Sequence, residues 1–199
     1  MKRLITMTVV AMLAIVGIAQ DIQLSWGKET KIIAETEKYD ENSMSFLYTE
    51  QVLEANRATT AYVQLFREQK FWEAPIYLHA EFRTFLAEQF TTRNIYMLGF
   101  AWGALATESG YTTLEALYRY DDRSNWQFTF VSGYSKGWFT FSNYADFYGI
   151  DRLYMFSENK IFGRITNNLQ LGLNLELGLN TREGQVFSCY PFAVLRVDL

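Results

Sequence analysis

Cysteine and histidine are almost absent from the sequence. Its 199 residues include one cysteine, Cys189, and one histidine, His79. A single cysteine excludes an internal disulfide framework and a cysteine-based zinc site, and a single histidine excludes a metal site built from several histidines. Only 2 prolines accompany 12 glycines, which excludes a collagen-like or proline-rich chain. We therefore expect neither a metal ion nor a cofactor.

Positive charge is scarcer than negative charge. The chain has 18 lysines and arginines against 22 aspartates and glutamates, for a formal net charge of -4. Proteins that bind nucleic acid present an excess of positive charge, so nucleic acid is not an expected partner. Hydrophobic residues make up 49% of the chain and charged residues 20%, which excludes a disordered composition. The length suggests one domain.

Long uncharged apolar runs are also missing, apart from one at the N-terminus. Lys2 and Arg3 precede an apolar run over residues 4–18, and Gly17 and Ala19 supply the small residues of a cleavage site. The run is shorter than the roughly 20 residues that a spanning helix needs. The sequence therefore predicts a cleaved signal peptide at residues 1–19 and a mature domain at residues 20–199. No cysteine lies near the cleavage site, which excludes a lipoprotein anchor.

What the mature chain does have is a two-residue alternation of apolar and polar side chains, which is typical of β-strands. Over residues 169–180 every odd position is leucine, and every even position is polar or small. Most such runs are longer than the five or six residues of an ordinary strand and suit the about 9–11 residues of a membrane-crossing strand. We predict an all-β, 12-stranded antiparallel transmembrane β-barrel, with strands at residues 21–27, 31–39, 42–53, 60–72, 75–86, 94–105, 112–122, 125–135, 137–149, 152–165, 169–180 and 187–199.

Alternation alone does not say which face meets lipid, because a lipocalin-type barrel turns its apolar face inward. A barrel of twelve strands is too wide for an apolar filling, and charged residues lie in the middle of the predicted strands. Charges at mid-depth are tolerated on a wet lumen wall and are costly against lipid. We therefore expect the apolar face outside. Trp26, Trp72, Trp126 and Trp138 lie near strand ends, as in an aromatic girdle, whereas the C-terminal strand ends on Leu199 instead of an aromatic residue.

Several segments resemble a known group of proteins. The carrying segments are QDIQLSWGKE at the mature start, PIYLHAEF, NIYMLGFAWG, LEALYRYDDRSNWQFTFVSGY, TFSNYADFYG and LGLNLELGLN. In these the chain resembles an uncharacterised family of outer-membrane β-barrel proteins from Bacteroidetes. That family is similar in architecture to the nucleoside-specific channel-forming (Tsx-like) porins, which are twelve-stranded. The resemblance implies an outer-membrane channel and assigns no nucleoside-binding residue.

The polar face supplies the candidate lumen-lining residues. They are Glu35, Tyr77, His79, Glu81, Arg83, Glu115, Arg119, Asp146, Glu158, Lys160, Arg164 and Glu176, with Gln64 and Arg196 on the same face. Two interpretations fit these residues. Their charges and tyrosines could orient a small solute in a narrow pore, with Tyr77 stacking on a planar ring. Alternatively, the charges could form a network of ion pairs that blocks the lumen and only stabilises the barrel.

An enzyme is the third possibility. An outer-membrane lipid hydrolase needs a histidine that activates a serine on the outer wall. His79 falls on the inward face, and its predicted strand contains no serine nearby, so we expect no catalytic residues and no enzyme.

The sequence thus predicts an exported protein of the bacterial outer membrane, with membrane lipid and the barrel-assembly machinery as partners. Its expected function is a narrow channel or binding barrel for a small hydrophilic solute, and the resemblance implies a nucleoside-like one. A non-conducting structural or surface-interaction barrel is the alternative.

Overall fold

The described part of the protein, in a computed structural model, comprises residues 20–53, 61–71, 73–86, 92–121, 125–149, 153–181 and 186–199. Within these ranges each alternating run forms a strand, and the strands are β1 Asp21–Trp26, β2 Thr30–Asp40, β3 Ser43–Leu53, β4 Ala61–Lys70, β5 Ile76–Leu86, β6 Thr92–Ala106, β7 Gly110–Tyr120, β8 Asn125–Lys136, β9 Phe139–Tyr148, β10 Tyr154–Arg164, β11 Leu169–Asn180 and β12 Val186–Asp198. The predicted signal peptide at residues 1–19 lies outside the described residues and stays a prediction.

The sheet closes on itself. Each strand pairs antiparallel with the next one along the chain, and β1 also pairs with β12, from Asp21 opposite Asp198 to Trp26 opposite Ala193. The predicted fold class, an all-β barrel of twelve antiparallel strands, is confirmed. Every observed strand end lies within two residues of the predicted one. The pairing of β6 with β7 contains a register shift between Gly103 and Leu105, and the extra residue of this bulge interrupts the alternation.

No helix in the described ranges is long and apolar enough to cross a membrane.

The register assigns each side chain to a face, because residues directly opposite in an antiparallel pair point the same way. In β11, Leu171 and Leu173 are exposed on the outside, while Asn174 and Glu176 are buried inside. Asn174 lies opposite Lys160 of β10, so both side chains point into the barrel. The same alternation continues around the barrel, with apolar side chains outside and charged side chains inside.

The inner wall nevertheless contains apolar side chains that the simple two-face pattern did not predict. Phe162, Phe192 and Val194 form one buried cluster. Phe162 and Val194 lie opposite Gly172 on either side of β11. A Cβ on Gly172 would meet the Phe162 ring and the Ile161 carbonyl oxygen, so the phenylalanine ring fills the space that a side chain there would occupy. Ile95, Met97 and Leu117 form a second buried cluster on the inner wall.

The structure explains why glycine occurs at two positions. Gly137 opens the two-residue turn between β8 and β9 with a φ of 62°, a conformation that favours glycine. Gly99 lies between His79 of β5 and Leu117 of β7. A Cβ on Gly99 would collide with the carbonyl oxygen of Ala116, so no larger residue fits without displacing the backbone.

Candidate functional site

The candidate site is the lumen, and the register turns every one of the predicted lining residues toward it. Most of them are buried, namely His79, Glu81, Arg83, Glu115, Arg119, Asp146, Lys160 and Glu176. Glu35, Tyr77 and Glu158 are half-buried, as are Gln64 and Arg196, and Arg164 is exposed at the end of β10. Arg164 therefore lies at the rim of the barrel, outside the buried network.

Arg83 is the centre of the largest network of side chains. Its Nε donates to Glu81, its Nη1 donates to Asp146 Oδ2 at 2.7 Å, and its Nη2 donates to the Tyr144 hydroxyl at 2.6 Å. Asp146 and Tyr144 lie on β9, which is separated from β5 by three other strands. The guanidinium therefore reaches across the lumen and joins two distant parts of the wall.

The two carboxylates that hold Arg83 are held in turn by neutral side chains. Gln64 donates to Glu81 at 2.6 Å. Thr129 and Gln127 donate to Asp146 Oδ1 at 2.7 Å and 3.0 Å. Buried charges are tolerated when their hydrogen bonds are satisfied in this way, so the network positions its charges rigidly.

His79 extends this network to Glu68 of β4. Its Nδ1 lies 3.0 Å from Glu68 Oε1, and its Nε2 lies 3.2 Å from Glu81 Oε2. The imidazole also stacks on the Phe66 ring, with centroids 4.9 Å apart. Both ring nitrogens thus face carboxylates inside the barrel. A lipid hydrolase would need a serine hydroxyl at one of those nitrogens, and within the described residues none contacts them.

A second network surrounds two lysines. Lys31 Nζ lies 2.8 Å from Glu176, 3.5 Å from Glu50 and 3.4 Å from Glu29. Lys160 Nζ lies 3.7 Å from both Glu35 and Glu158. Lys31 and Lys160 come from β2 and β10, so these contacts also join strands that are not neighbours.

Ion pairs also lie at the two rims of the barrel. At the end that holds the chain termini, Arg196 contacts Asp21 at 2.7 Å and Asp198 at 3.0 Å. At the opposite end, Arg93 and Arg119 share Asp121, at 2.9 Å and 2.8 Å. Charged side chains therefore line the lumen from one rim to the other.

An aromatic wall covers the inside of β3, β4 and β5. Its rings are those of Phe46, Tyr48, Tyr62, Phe66 and Phe85, and consecutive ring centroids lie 4.7 to 5.8 Å apart along most of the wall. Lys160 Nζ, from β10, lies 5.9 Å from the Tyr48 centroid. The lumen thus presents flat apolar surfaces next to charged groups.

Some inward polar atoms have no hydrogen-bond partner in the described part of the chain. They are Gln23 Oε1, Ser25 Oγ, Gln127 Oε1 and Asn174 Oδ1, and all four are buried. Buried polar atoms normally find a partner, so this lining suits polar molecules.

Sequence reasoning missed Glu68 and the aromatic wall. Arg67 and Glu68 are adjacent in β4, and Phe46 and Leu47 are adjacent in β3. Residues of the same type then occupy both faces, so the alternation gives no indication of which one points inward. The burial of Glu68 and its contact with His79 become visible only once β4 and β5 are paired.

Comparison with known proteins identifies the architecture. The structure is similar to the NanC porin, with a TM-score of 0.61, 9% sequence identity, and 90% of this chain and 98% of that chain covered. It is also similar to the KdgM porin, with a TM-score of 0.56 and 12% identity, and to KdgM in complex with disordered oligogalacturonate, with a TM-score of 0.55 and 13% identity, at the same coverage.

The chain has a porin fold. No protein-family model and no curated protein matches the sequence, so the likeness rests on structure. At 9% to 13% identity it shows the fold alone. The closer resemblance to the Bacteroidetes family and to nucleoside-specific porins stays a prediction.

Proposed function

We propose that the protein is an outer-membrane barrel whose lumen binds or passes a small hydrophilic solute. The observation that carries the proposal is the opposite character of the two faces. Outside, large apolar side chains such as Phe100, Leu173 and Phe187 are exposed, and apolar surface on that scale is stable against lipid and unstable in water. Inside, charged and aromatic groups surround the lumen.

The outer wall also carries an apolar depression of about 670 Å³, lined by Phe100, Trp102, Leu114, Phe128 and neighbouring residues. Its lining has no charged side chain other than that of Glu115, which points to the lumen by register. This surface supports membrane lipid as a partner, and an exported barrel needs the barrel-assembly machinery to reach the outer membrane.

The lumen favours a solute that has both a flat ring and polar groups. The aromatic wall on β3–β5 offers ring faces for stacking, and Arg83, Asp146 and Tyr144 lie beside it with hydrogen-bonding groups. A nucleoside-like solute combines those features. An excess of carboxylates disfavours a polyanion such as the oligogalacturonate in the KdgM complex.

A non-conducting barrel is the second candidate, because of the contacts that cross the lumen. Arg83 bridges β5 and β9, and Lys160 approaches both Glu35 of β2 and Tyr48 of β3. If these bridges never open, the lumen is sealed and its ion pairs only stabilise the fold. The channel proposal requires that movement of these bridging side chains alone opens the lumen.

Conductance of the refolded protein in a planar lipid bilayer separates the two candidates. The channel proposal expects small, stable steps in KCl, and expects Glu81→Gln and Arg83→Gln to change the ion selectivity. Glu108→Gln and Lys136→Gln are the matched controls, because both residues are exposed at or beside turns and their loss should leave selectivity unchanged.

The sealed barrel predicts no conductance before or after either lumen substitution. Swelling of vesicles that contain the protein then tests the solute. We expect uridine to enter faster than a disaccharide, and equal rates for the two would contradict the ring-binding lumen.

A further inference from the structure

Three potential metal ligands meet on the inner wall near β5. Glu68, His79 and Glu115 each offer one ligand atom, and these atoms all lie within 4.8 Å of one another. All three residues are buried. Glu68 and His79 are cross-strand neighbours on β4 and β5, and Glu115 lies on β7, which is separated from β5 by β6.

The shortest of these contacts already has the geometry of two ligands on one ion. His79 Nδ1 lies 3.0 Å from Glu68 Oε1. Zinc binds imidazole nitrogen and carboxylate oxygen at about 2.0–2.2 Å, so neighbouring ligands of one ion lie roughly 3 Å apart. A metal ion can therefore replace the proton that His79 and Glu68 share, and a side-chain rotation of Glu115 closes the third position.

The buried environment of the Glu115 carboxylate favours a bound cation. It is nine-tenths buried, and within the described residues no side chain donates a hydrogen bond to its carboxylate. His79 lies close to Glu115, but both of its ring nitrogens already face Glu68 and Glu81, and Arg83 is engaged by Glu81 and Asp146. A buried carboxylate that accepts no hydrogen bond is costly, and a bound cation lowers that cost.

The rest of the network holds His79 in the orientation that a metal needs. Glu81 Oε2 faces Nε2 at 3.2 Å, which keeps a proton on Nε2 and leaves Nδ1 free to bind once its own proton is displaced. A carboxylate behind a ligating histidine commonly fixes its ring in this way. Arg83 in turn fixes Glu81, and stacking on Phe66 fixes the plane of the imidazole.

We propose that Glu68, His79 and Glu115 form a lumenal binding site for one divalent transition-metal ion, with Zn²⁺ as its best fit. One imidazole nitrogen and two carboxylate oxygens form a donor set that suits Zn²⁺ better than Mg²⁺, which prefers oxygen ligands alone. Three protein ligands leave a coordination position for water or a solute. The site goes beyond the proposed transport function and does not depend on conduction.

The test is titration of the untagged, refolded barrel with Zn²⁺ in calorimetry, combined with nitrogen NMR of the imidazole. Because His79 is the chain's single histidine, the imidazole signals need no assignment. We expect one Zn²⁺ per barrel, a shift of the Nδ1 signal on binding, and weaker binding of Mg²⁺. Glu81→Gln should weaken Zn²⁺ binding about 10–100-fold, and Glu115→Gln should weaken it at least as much.

Glu108→Gln is the matched control, because Glu108 is an exposed carboxylate between β6 and β7, away from the lumen. Its Zn²⁺ binding should equal that of the wild type. Absence of saturable Zn²⁺ binding by the wild type, or binding without a change at Nδ1, would overturn the proposal. So would a folded Glu115→Gln variant that binds Zn²⁺ as tightly as the wild type. If Glu115→Gln does not fold, the wild-type NMR result decides.

These outcomes are independent of the channel proposal. A barrel that binds Zn²⁺ without conducting leaves the metal site intact and refutes only the channel. A conducting barrel that does not bind Zn²⁺ refutes the metal site and leaves the channel proposal intact.

Discussion

Replacing Arg83 with glutamine tests whether the lumen around Arg83 is filled by side chains or contains water. The substitution removes the guanidinium that joins Glu81 and Asp146, and it leaves both carboxylates buried without their counter-charge. Removing one partner of a buried ion pair costs about 3–5 kcal/mol. Gln64 still donates to Glu81, and Thr129 still donates to Asp146, so we expect the lower end of that range.

The double variant Arg83→Gln/Asp146→Asn measures how much of the cost is uncompensated charge. The amide that replaces the Asp146 carboxylate is neutral, so the double variant should be more stable than Arg83→Gln alone by at least about 1 kcal/mol, within the range seen for contacting residues. Lys136→Gln is the control, since removal of an exposed charge changes stability by less than about 0.5 kcal/mol.

The assay is urea unfolding of the barrel in lipid vesicles, followed by tryptophan fluorescence. A loss below about 1 kcal/mol for Arg83→Gln is what a water-exposed ion pair would give. That result would refute the buried network, because it would mean that water already reaches Arg83 in the folded barrel.

Further substitutions test the outer wall and its packing. Leu173→Arg, which places a charge against lipid near the middle of β11, should cost about 2–4 kcal/mol in vesicles, and an effect below about 1 kcal/mol would contradict the assigned face. Gly99→Ala should reduce the yield of folded barrel on an unheated gel, because its Cβ would collide with the Ala116 carbonyl oxygen, whereas the control Ala106→Gly, at the exposed end of β6, should fold normally. Cys189, exposed on the outer wall, should react slowly with a water-soluble maleimide in vesicles and quickly after unfolding. Ser188→Cys in a Cys189→Ala background faces the lumen and should react faster than Cys189 in the folded state.

The strands and their faces were largely predictable from the sequence, because lipid and the lumen demand different side chains. β11 is the clearest case, where leucine alternates with polar or small residues and only one register buries Asn174 and exposes Leu173. The bulge between Gly103 and Leu105, where the register changes, was not predicted. Alternation describes regular pairing and contains no information about such an insertion.

The contacts inside the lumen were not predictable in the same way. Alternation turns Arg83 and Asp146 inward, but they meet across the barrel from β5 and β9. Which residues meet depends on how the sheet closes and on the stagger between its strands, and these are properties of the whole barrel. Glu68 was missed for a local reason, since Arg67 beside it is also charged and only one of the two is buried.

The distribution of charge in the lumen leads to a prediction about ions. Lys31, Lys160, Arg83 and Arg196 each contact at least two carboxylates, and Glu68 and Glu115 add further acidic groups beside His79. Each of these cations therefore has more than one acidic partner, whereas at one rim two arginines share the single carboxylate of Asp121.

A lumen lined in this way attracts cations, because a narrow passage with low-dielectric walls concentrates the field of its excess charge. We expect the reversal potential across a KCl gradient to show preference for K⁺ over Cl⁻, and the preference to weaken with rising salt as the charges are screened. Glu158→Gln should reduce the preference, whereas Glu108→Gln, at an exposed turn, should not. Anion preference in the wild type would mean that the acidic groups are neutralised inside the barrel, and the charge argument would then fail even though the fold stands.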